Sequence, residues 1–200
     1  MAERVIFSRH AEAESNAANV LNGDPTRAVG LTDRGRDQAR SLGERIGSEE
    51  LDLVITSEFP RALETATVAL DGRQIPMIVL PGLNDPRGGE WEGMDLDTYL
   101  AWAETAHADA APPGGESLRQ VISRLAAALR AIVARPESTV LVVGHGLPIS
   151  GVLAAATADL DDRTVYAPVP NAEPYVLIRS EVERAAERLE RAATRRPARG

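Results

Sequence analysis

Two hundred residues, 44% hydrophobic and 26% charged, suit one globular unit with a sizeable core. A formal net charge of −8 argues against a general nucleic-acid binder, which meets phosphate with a net basic face. There is no cysteine and no lysine, which excludes disulfides, thiolate chemistry, zinc-thiolate sites, Schiff bases and a lysine-bearing phosphate loop.

No apolar run reaches the roughly 18 residues that a membrane span needs. Met1-Ala2-Glu3-Arg4 leads straight into strand-like sequence rather than a secretory signal, so the expected location is cytoplasmic and no membrane partner is expected.

The first element predicted is a buried strand, Val5-Ile6-Phe7-Ser8, running into Arg9-His10 and a polar loop through Asn16. Asn22-Gly23-Asp24-Pro25 is a turn cluster. A helix follows with Thr32 as N-cap, and Ala39, Leu42 and Ile46 face the core. Leu51–Thr56 reads as a second strand, Ser57 as a candidate cap, and Glu58–Ala66 as a helix with Pro60 in its first turn. Ile75–Leu80 is a third strand that Pro76 assigns to a sheet edge. Pro81–Pro113 is less regular and carries Trp91, Tyr99 and Trp102.

After Gly114-Gly115-Glu116-Ser117 comes a helix with an apolar stripe of Val121, Leu125, Ala128, Leu129 and Ile132. Thr139–Val143 is the clearest buried strand; Gly144-His145-Gly146 closes it and Leu147–Ala156 continues as a helix. Glu173–Ile178 is a last strand, and Glu181–Arg196 a charged helix with an arginine-rich tail. Alternating strands and helices predict a three-layer α/β/α sandwich on a largely parallel sheet. The expected division is one domain over residues 1–180, with the charged helix and tail over 181–200.

In such sheets ligands sit beyond the carboxyl ends of the strands. Arg9, His10, Arg61 and His145 all fall at such ends, which places two imidazoles and two guanidiniums around one pocket. Arginines suit phosphoryl oxygens, one histidine can attack and a second can donate a hydrogen bond. A metal on His10, His145 and Glu12 is disfavoured by the two arginines and by the absence of a metal-binding helical spacing. No Gly-x-Ser-x-Gly elbow is present, and Ser150 reads as a helix residue. His107, among alanines and acids, reads as an exposed loop histidine.

From Arg4 to Ile178 the chain resembles the histidine phosphatase superfamily, also called phosphoglycerate-mutase-like. Four ordered motifs carry the resemblance: Arg9-His10-x-Glu12-x-x-x-Asn16; Leu31-Thr32-x-x-Gly35-x-x-Gln38-Ala39; Ser57-x-x-x-Arg61-Ala62-x-x-Thr65-Ala66; and Gly144-His145-Gly146. Trp91-Glu92-Gly93 followed by Gly114-Gly115-Glu116-Ser117 adds a fifth.

The resemblance implies a phosphoglycerate-mutase-like fold and phosphoryl transfer through a phosphohistidine on His10. Arg9, Arg61 and His145 would hold the phosphoryl oxygens, with Asn16 at the pocket edge. The family's proton donor matches Asp85, in Leu83-Asn84-Asp85, where a glutamate is usual; Glu90 and Glu92 are the alternatives. The family's glycine after Arg-His is Ala11 here. No metal or organic cofactor is implied.

The expected activity is hydrolysis of a small phosphorylated metabolite. A mutase, a protein phosphohistidine phosphatase and a silent phospho-ligand-binding relative are the alternatives. Trp91, Tyr99 and Trp102 either line the leaving-group side or pack this segment onto the body of the fold. A homodimer through a sheet edge or the last helix is compatible with the sequence.

Overall fold

The first apolar run forms β1 (Arg4–Arg9), in which Val5, Ile6 and Phe7 are at most 1% exposed. The structure, a computed structural model, describes residues 2–47, 49–160 and 164–195. Alongside β1 lie β2 (Leu53–Thr56), β3 (Met77–Val79), β4 (Thr139–Gly144) and β5 (Pro174–Ile178). They form one sheet in the order β3-β2-β4-β1-β5. The first four in that order are parallel, and β5 runs antiparallel along β1. The largely parallel sheet is therefore observed, with β3 at the edge that Pro76 implied.

Side chains alternate across the pleat and divide the core in two. On one face Val5, Phe7, Leu53, Ile55, Val140 and Val142 pack under α5 (Leu118–Val133), α6 (Gly146–Thr157) and α7 (Arg179–Thr194). On the other Ile6, Val54, Leu141 and Val143 pack under α2 (Asp33–Arg45) and α3 (Pro60–Leu70). That is the expected three-layer sandwich. A third, smaller cluster joins Leu21, Tyr99 and Ala103 with Trp91, Met94 and Trp102.

Several local expectations shift. Thr32 caps α2 as anticipated, its Oγ1 accepting from the Gly35 amide at 2.9 Å. Ser57 does not cap α3: Phe59 occupies the cap position ahead of Pro60. The last helix starts at Arg179 rather than Glu181, because the Glu181 side chain takes the Ile178 amide proton at 2.9 Å. Pro81–Pro113 is less irregular than expected and contains α4 (Leu96–Ala103), whose Asp95 cap accepts from the Thr98 amide at 2.8 Å. A four-residue α1 (Glu14–Ala17) sits in the loop after β1.

Helix α7 buries Val182, Ala185, Ala186 and Leu189 in the same core as α5 and α6. Arg196, Pro197, Ala198 and Arg199 of the expected arginine-rich tail lie outside the described residues. Among the described residues, no helix is long and apolar enough to cross a membrane.

Candidate active site

Strand register levels the carboxyl ends of the parallel strands. Arg9 pairs with Gly144, and Thr56 with both Val143 and Val79. The residues that follow, His10, Ser57–Arg61, Leu83–Asp85 and His145, are thereby delivered to one rim. The His10 amide extends the ladder by donating to the Gly144 carbonyl at 2.9 Å. The two imidazoles then meet edge-on, with ring centroids 5.2 Å apart.

The loop carrying His10 is held from three sides. Thr65, one turn into α3 beyond Arg61, accepts the Ala11 amide proton on Oγ1 at 2.9 Å. Gln38 Oε1 accepts the Glu12 amide proton at 2.8 Å, and Asn171 Nδ2 donates to the His10 carbonyl at 2.7 Å. Gly35 lets the start of α2 lie against this loop, since a Cβ there would stand 2.0 Å from the Glu12 carbonyl oxygen. The Leu31–Ala39 motif is thus a clamp on the His10 loop. Ala11 is fully buried and needs no special backbone angle.

The tautomer of His10 follows from its partners. His10 Nδ1 lies 2.7 Å from the Ala11 carbonyl, which can only accept, so Nδ1 carries the proton. Nε2 is left with a lone pair, and the Arg61 Nε–H points at it from 3.1 Å. Burial first, then the charges of Arg61 and Arg9, push the His10 pKa well below the usual 6.5. His10 is a neutral base with its lone pair turned to the cleft.

Arg61 is the hub. It donates to Asn22 Oδ1 through Nη1, and through Nη2 to the Asn22 carbonyl at 3.0 Å and Asp85 Oδ2 at 3.1 Å. Its Nη2 also lies 3.2 Å from His145 Nδ1. A guanidinium only donates, so His145 Nδ1 accepts and Nε2–H donates to Ser57 Oγ at 2.8 Å. The expected donation from His145 to a phosphoryl oxygen therefore requires it first to take up a proton. Its pKa too lies well below 6.5, through burial and then Arg61, so the resting ring is neutral.

Asp85 stands opposite, its Oδ2 3.5 Å from His145 Nδ1. Burial raises its pKa above the ordinary 3.8, against the opposing pull of Arg61, Arg9 and Arg124. A carboxyl held toward its protonated form beside a neutral imidazole is the environment of a general acid.

Glu92 is spoken for: its two oxygens accept the Gly23 and Gly88 amides at 2.9 and 2.7 Å, bracing two loops. Glu90 is exposed and does not line the cleft. Glu12 is tied to Thr32 Oγ1 at 2.8 Å and to Arg34, and His107 is exposed beside Asp109. Among the described residues, no cluster of metal-ligating side chains is present.

Arg9, His10, Asn16, Asn22, Arg61 and Asp85 line one open cleft of about 830 Å³. Asn16 spends Oδ1 on the Ala13 amide at 3.0 Å and keeps its amide nitrogen as its donor. Arg9 Nη1 donates to the Val169 carbonyl at 2.9 Å. Arg9 Nε and Asn22 Nδ2 are buried yet lack a hydrogen-bond partner among the described residues. Orphaned buried donors are costly, and both belong to residues that line the cleft. Tyr99 lines the cleft, whereas Trp91 and Trp102 stand behind it, packed edge-to-face at 4.8 Å.

Four contributors carry no local pattern that names their role. Asn22 read only as part of a turn. Ser57 read as a cap, when its hydroxyl orients His145. Asn171 lies in a loop without local pattern. Arg124, on the polar face of α5, donates to the carbonyls of Gly82, Asn84 and Asp85 at 3.1, 2.7 and 3.1 Å and to Glu116 at 3.0 and 3.1 Å. The Glu116 of the motif is thus the counter-ion of the arginine that shapes the Asp85 loop, a role its motif signals without naming the partner.

The model of the histidine phosphatase superfamily (branch 1) matches residues 5–193. The adenosylcobalamin/alpha-ribazole phosphatase of Salmonella typhimurium is 32% identical over 167 residues, 78% of this chain and 79% of its own. The glucosyl-3-phosphoglycerate phosphatase of Mycolicibacterium vanbaalenii is 31% identical over 173 residues, 78% of this chain and 73% of its own. Among solved structures, Bacillus stearothermophilus YhfR superposes with a TM-score of 0.76 at 30% identity, covering 88% of this chain and 90% of that one. With motifs, sheet order and cleft in agreement, the chain belongs to the histidine phosphatase superfamily, branch 1.

Proposed function

We propose that this phosphatase hydrolyses small phosphomonoesters through a phosphohistidine on His10, with Asp85 as proton donor and no metal. The carrying observation is the unprotonated Nε2 of His10, met by the Arg61 Nε–H at 3.1 Å, on a cleft that Arg9, Arg61 and Asn22 also line. Relatives of this chain act, by their names, on phosphorylated small molecules, which supports the substrate class.

The phosphoryl group sits between Arg9, Arg61 and Asn22, with Asn16 at its edge. The Nε2 lone pair attacks phosphorus in line as the ester P–O bond breaks. The Asp85 proton goes to the departing oxygen, and Arg9 and Arg61 balance the charge on the equatorial oxygens. His145, once it takes up a proton, adds a further donor. Asp85, now ionised, takes a proton from water; the water oxygen attacks phosphorus, the N–P bond breaks, and phosphate leaves with His10 restored.

Phosphate release from p-nitrophenyl phosphate and glycerol 3-phosphate, in the presence of EDTA, tests this. Wild type turns over both, and His10→Ala falls to background on both. Asp85→Asn loses about 10²–10⁴-fold on glycerol 3-phosphate, the range of general acid catalysis, but far less on p-nitrophenyl phosphate, whose leaving group scarcely needs a proton. Activity abolished by EDTA, or retained by His10→Ala, refutes the mechanism.

A further inference from the structure

The phosphate end of the cleft is cationic; the rest is not. Among the described residues lining it, the cations are Arg9 and Arg61. Both are committed to the phosphate end: Arg61 by Asn22, His10 and Asp85, Arg9 by the Val169 carbonyl. Beyond them the lining is mostly apolar, with Leu21, Leu96, Leu100 and Leu147 beside Tyr99 and Tyr166 and with Ser15 as a neutral polar member, and the carboxyl of Asp85 stands at the junction.

This wall is preformed. Tyr99 is 6% exposed and its ring packs at 5.9 Å on Trp102, which in turn meets Trp91 edge-on. With Trp102 packed on it, and Trp102 itself backed by Trp91, the Tyr99 ring is held in one orientation at the cleft wall.

A leaving group bearing a carboxylate or second phosphate would lose its water against aliphatic carbon and approach Asp85 with no cation, among the described residues of the wall, to compensate. An uncharged ring would instead bury apolar area and stack on a tyrosine face. We propose that the Leu21–Leu96–Tyr99–Leu100–Leu147–Tyr166 wall selects phosphomonoesters whose leaving group is uncharged and carries a flat apolar ring. This rests on the phosphatase reading above and sharpens it, because it sets aside phosphoglycerate-like and bisphosphorylated substrates.

Two measurements separate failure of the wall from failure of the chemistry. In the first, kcat/KM is measured for benzyl phosphate, glycerol 3-phosphate and 3-phosphoglycerate, all esters of alkyl-type alcohols. The expected order is benzyl, then glycerol, then glycerate, with at least about tenfold between the ends, about 1.4 kcal/mol in transition-state binding. Leu100→Arg, which adds a cation to the wall, should narrow that gap by raising the glycerate ester. Equal values, or a preference for 3-phosphoglycerate, overturn the wall while leaving the phosphatase intact.

In the second, benzylphosphonate and 3-phosphonopropionate, which cannot be hydrolysed, are titrated calorimetrically into the wild-type protein. Benzylphosphonate should bind at least about tenfold tighter. This readout stands even if no ester turns over, an outcome that would refute the chemistry alone. Equal or reversed affinities refute the wall.

Discussion

At the scale of single residues, the site runs on two neutral imidazoles and one reluctant carboxyl. His10 and His145 are both driven toward the neutral form by burial and by the arginines between which they sit. Asp85 is driven the other way, because the desolvation of its charge outweighs Arg61. The sign for catalysis follows. The nucleophile needs an unprotonated His10, which a lowered pKa supplies well into acid; the acid step needs a protonated Asp85, which is lost as pH rises through its raised pKa. We therefore expect kcat of the wild type on glycerol 3-phosphate to fall as pH is raised from the acid side. The residual kcat of Asp85→Asn should lack that falling limb. Superimposable pH profiles for the two proteins would remove Asp85 from the role.

Ser57 illustrates how residue identity and position interact. From sequence it suits a helix cap, since a serine before a helical run is a common N-cap. Pro60 carries no amide proton, and the helix begins there with Phe59 in the cap position, so the hydroxyl is released to accept from His145 Nε2 at 2.8 Å. That bond fixes which His145 nitrogen faces Arg61 and Asp85.

At the scale of elements, the segment between β3 and α5 is where the site is adjustable. Asp85 hangs on a short loop after the turn at Pro81–Leu83, and Arg124 of α5 grips its backbone at three carbonyls while paired to Glu116. The loop's far end is pinned at Gly89, whose φ of +58° and contact with the Pro113 and Gly115 backbone leave no room for a side chain. Arg124→Met should free the loop and misplace the acid without touching His10. A displacement near 1 Å can cost about 10²-fold in rate, so kcat on glycerol 3-phosphate should drop at least about tenfold. The rate on p-nitrophenyl phosphate should change much less. Equal losses on both esters would show that Arg124 supports the fold rather than Asp85.

At the scale of the whole molecule, α7 is part of the three-layer body. Its polar face carries the exposed Arg130–Glu190 pair at 2.8 Å and the half-buried Arg179–Glu183 pair at 2.7 Å, solvent-accessible pairs worth little individually. Its other face seats Leu189, fully buried, in the core shared with α5 and α6. Leu189→Ala should cost about 2–5 kcal/mol of unfolding free energy, the range for buried leucine truncations. Denaturant unfolding reads that loss directly, and KM for p-nitrophenyl phosphate should stay unchanged because α7 does not line the cleft. A loss below about 0.5 kcal/mol, the level of surface substitutions, would show that the helix is peripheral.

The sequence by itself determined the alternation of strands and helices, the edge position of β3 and the identity of the groups at the strand ends. Those are local properties: hydrophobic period, a proline without an amide proton, and polar residues placed directly after apolar runs. Resemblance to the histidine phosphatase superfamily, rather than any local rule, pointed to Asp85 as the proton donor. Only the tertiary structure decided that Asn22 grips Arg61, that Ser57 serves His145, that Arg124 holds the Asp85 loop, and that Tyr99 faces the cleft while the tryptophans stand behind it. Each of those contacts joins residues 39 to 88 positions apart in the chain or turns on which face of a short helix is covered. Such pairings come from packing layers against one another, and no local pattern encodes them.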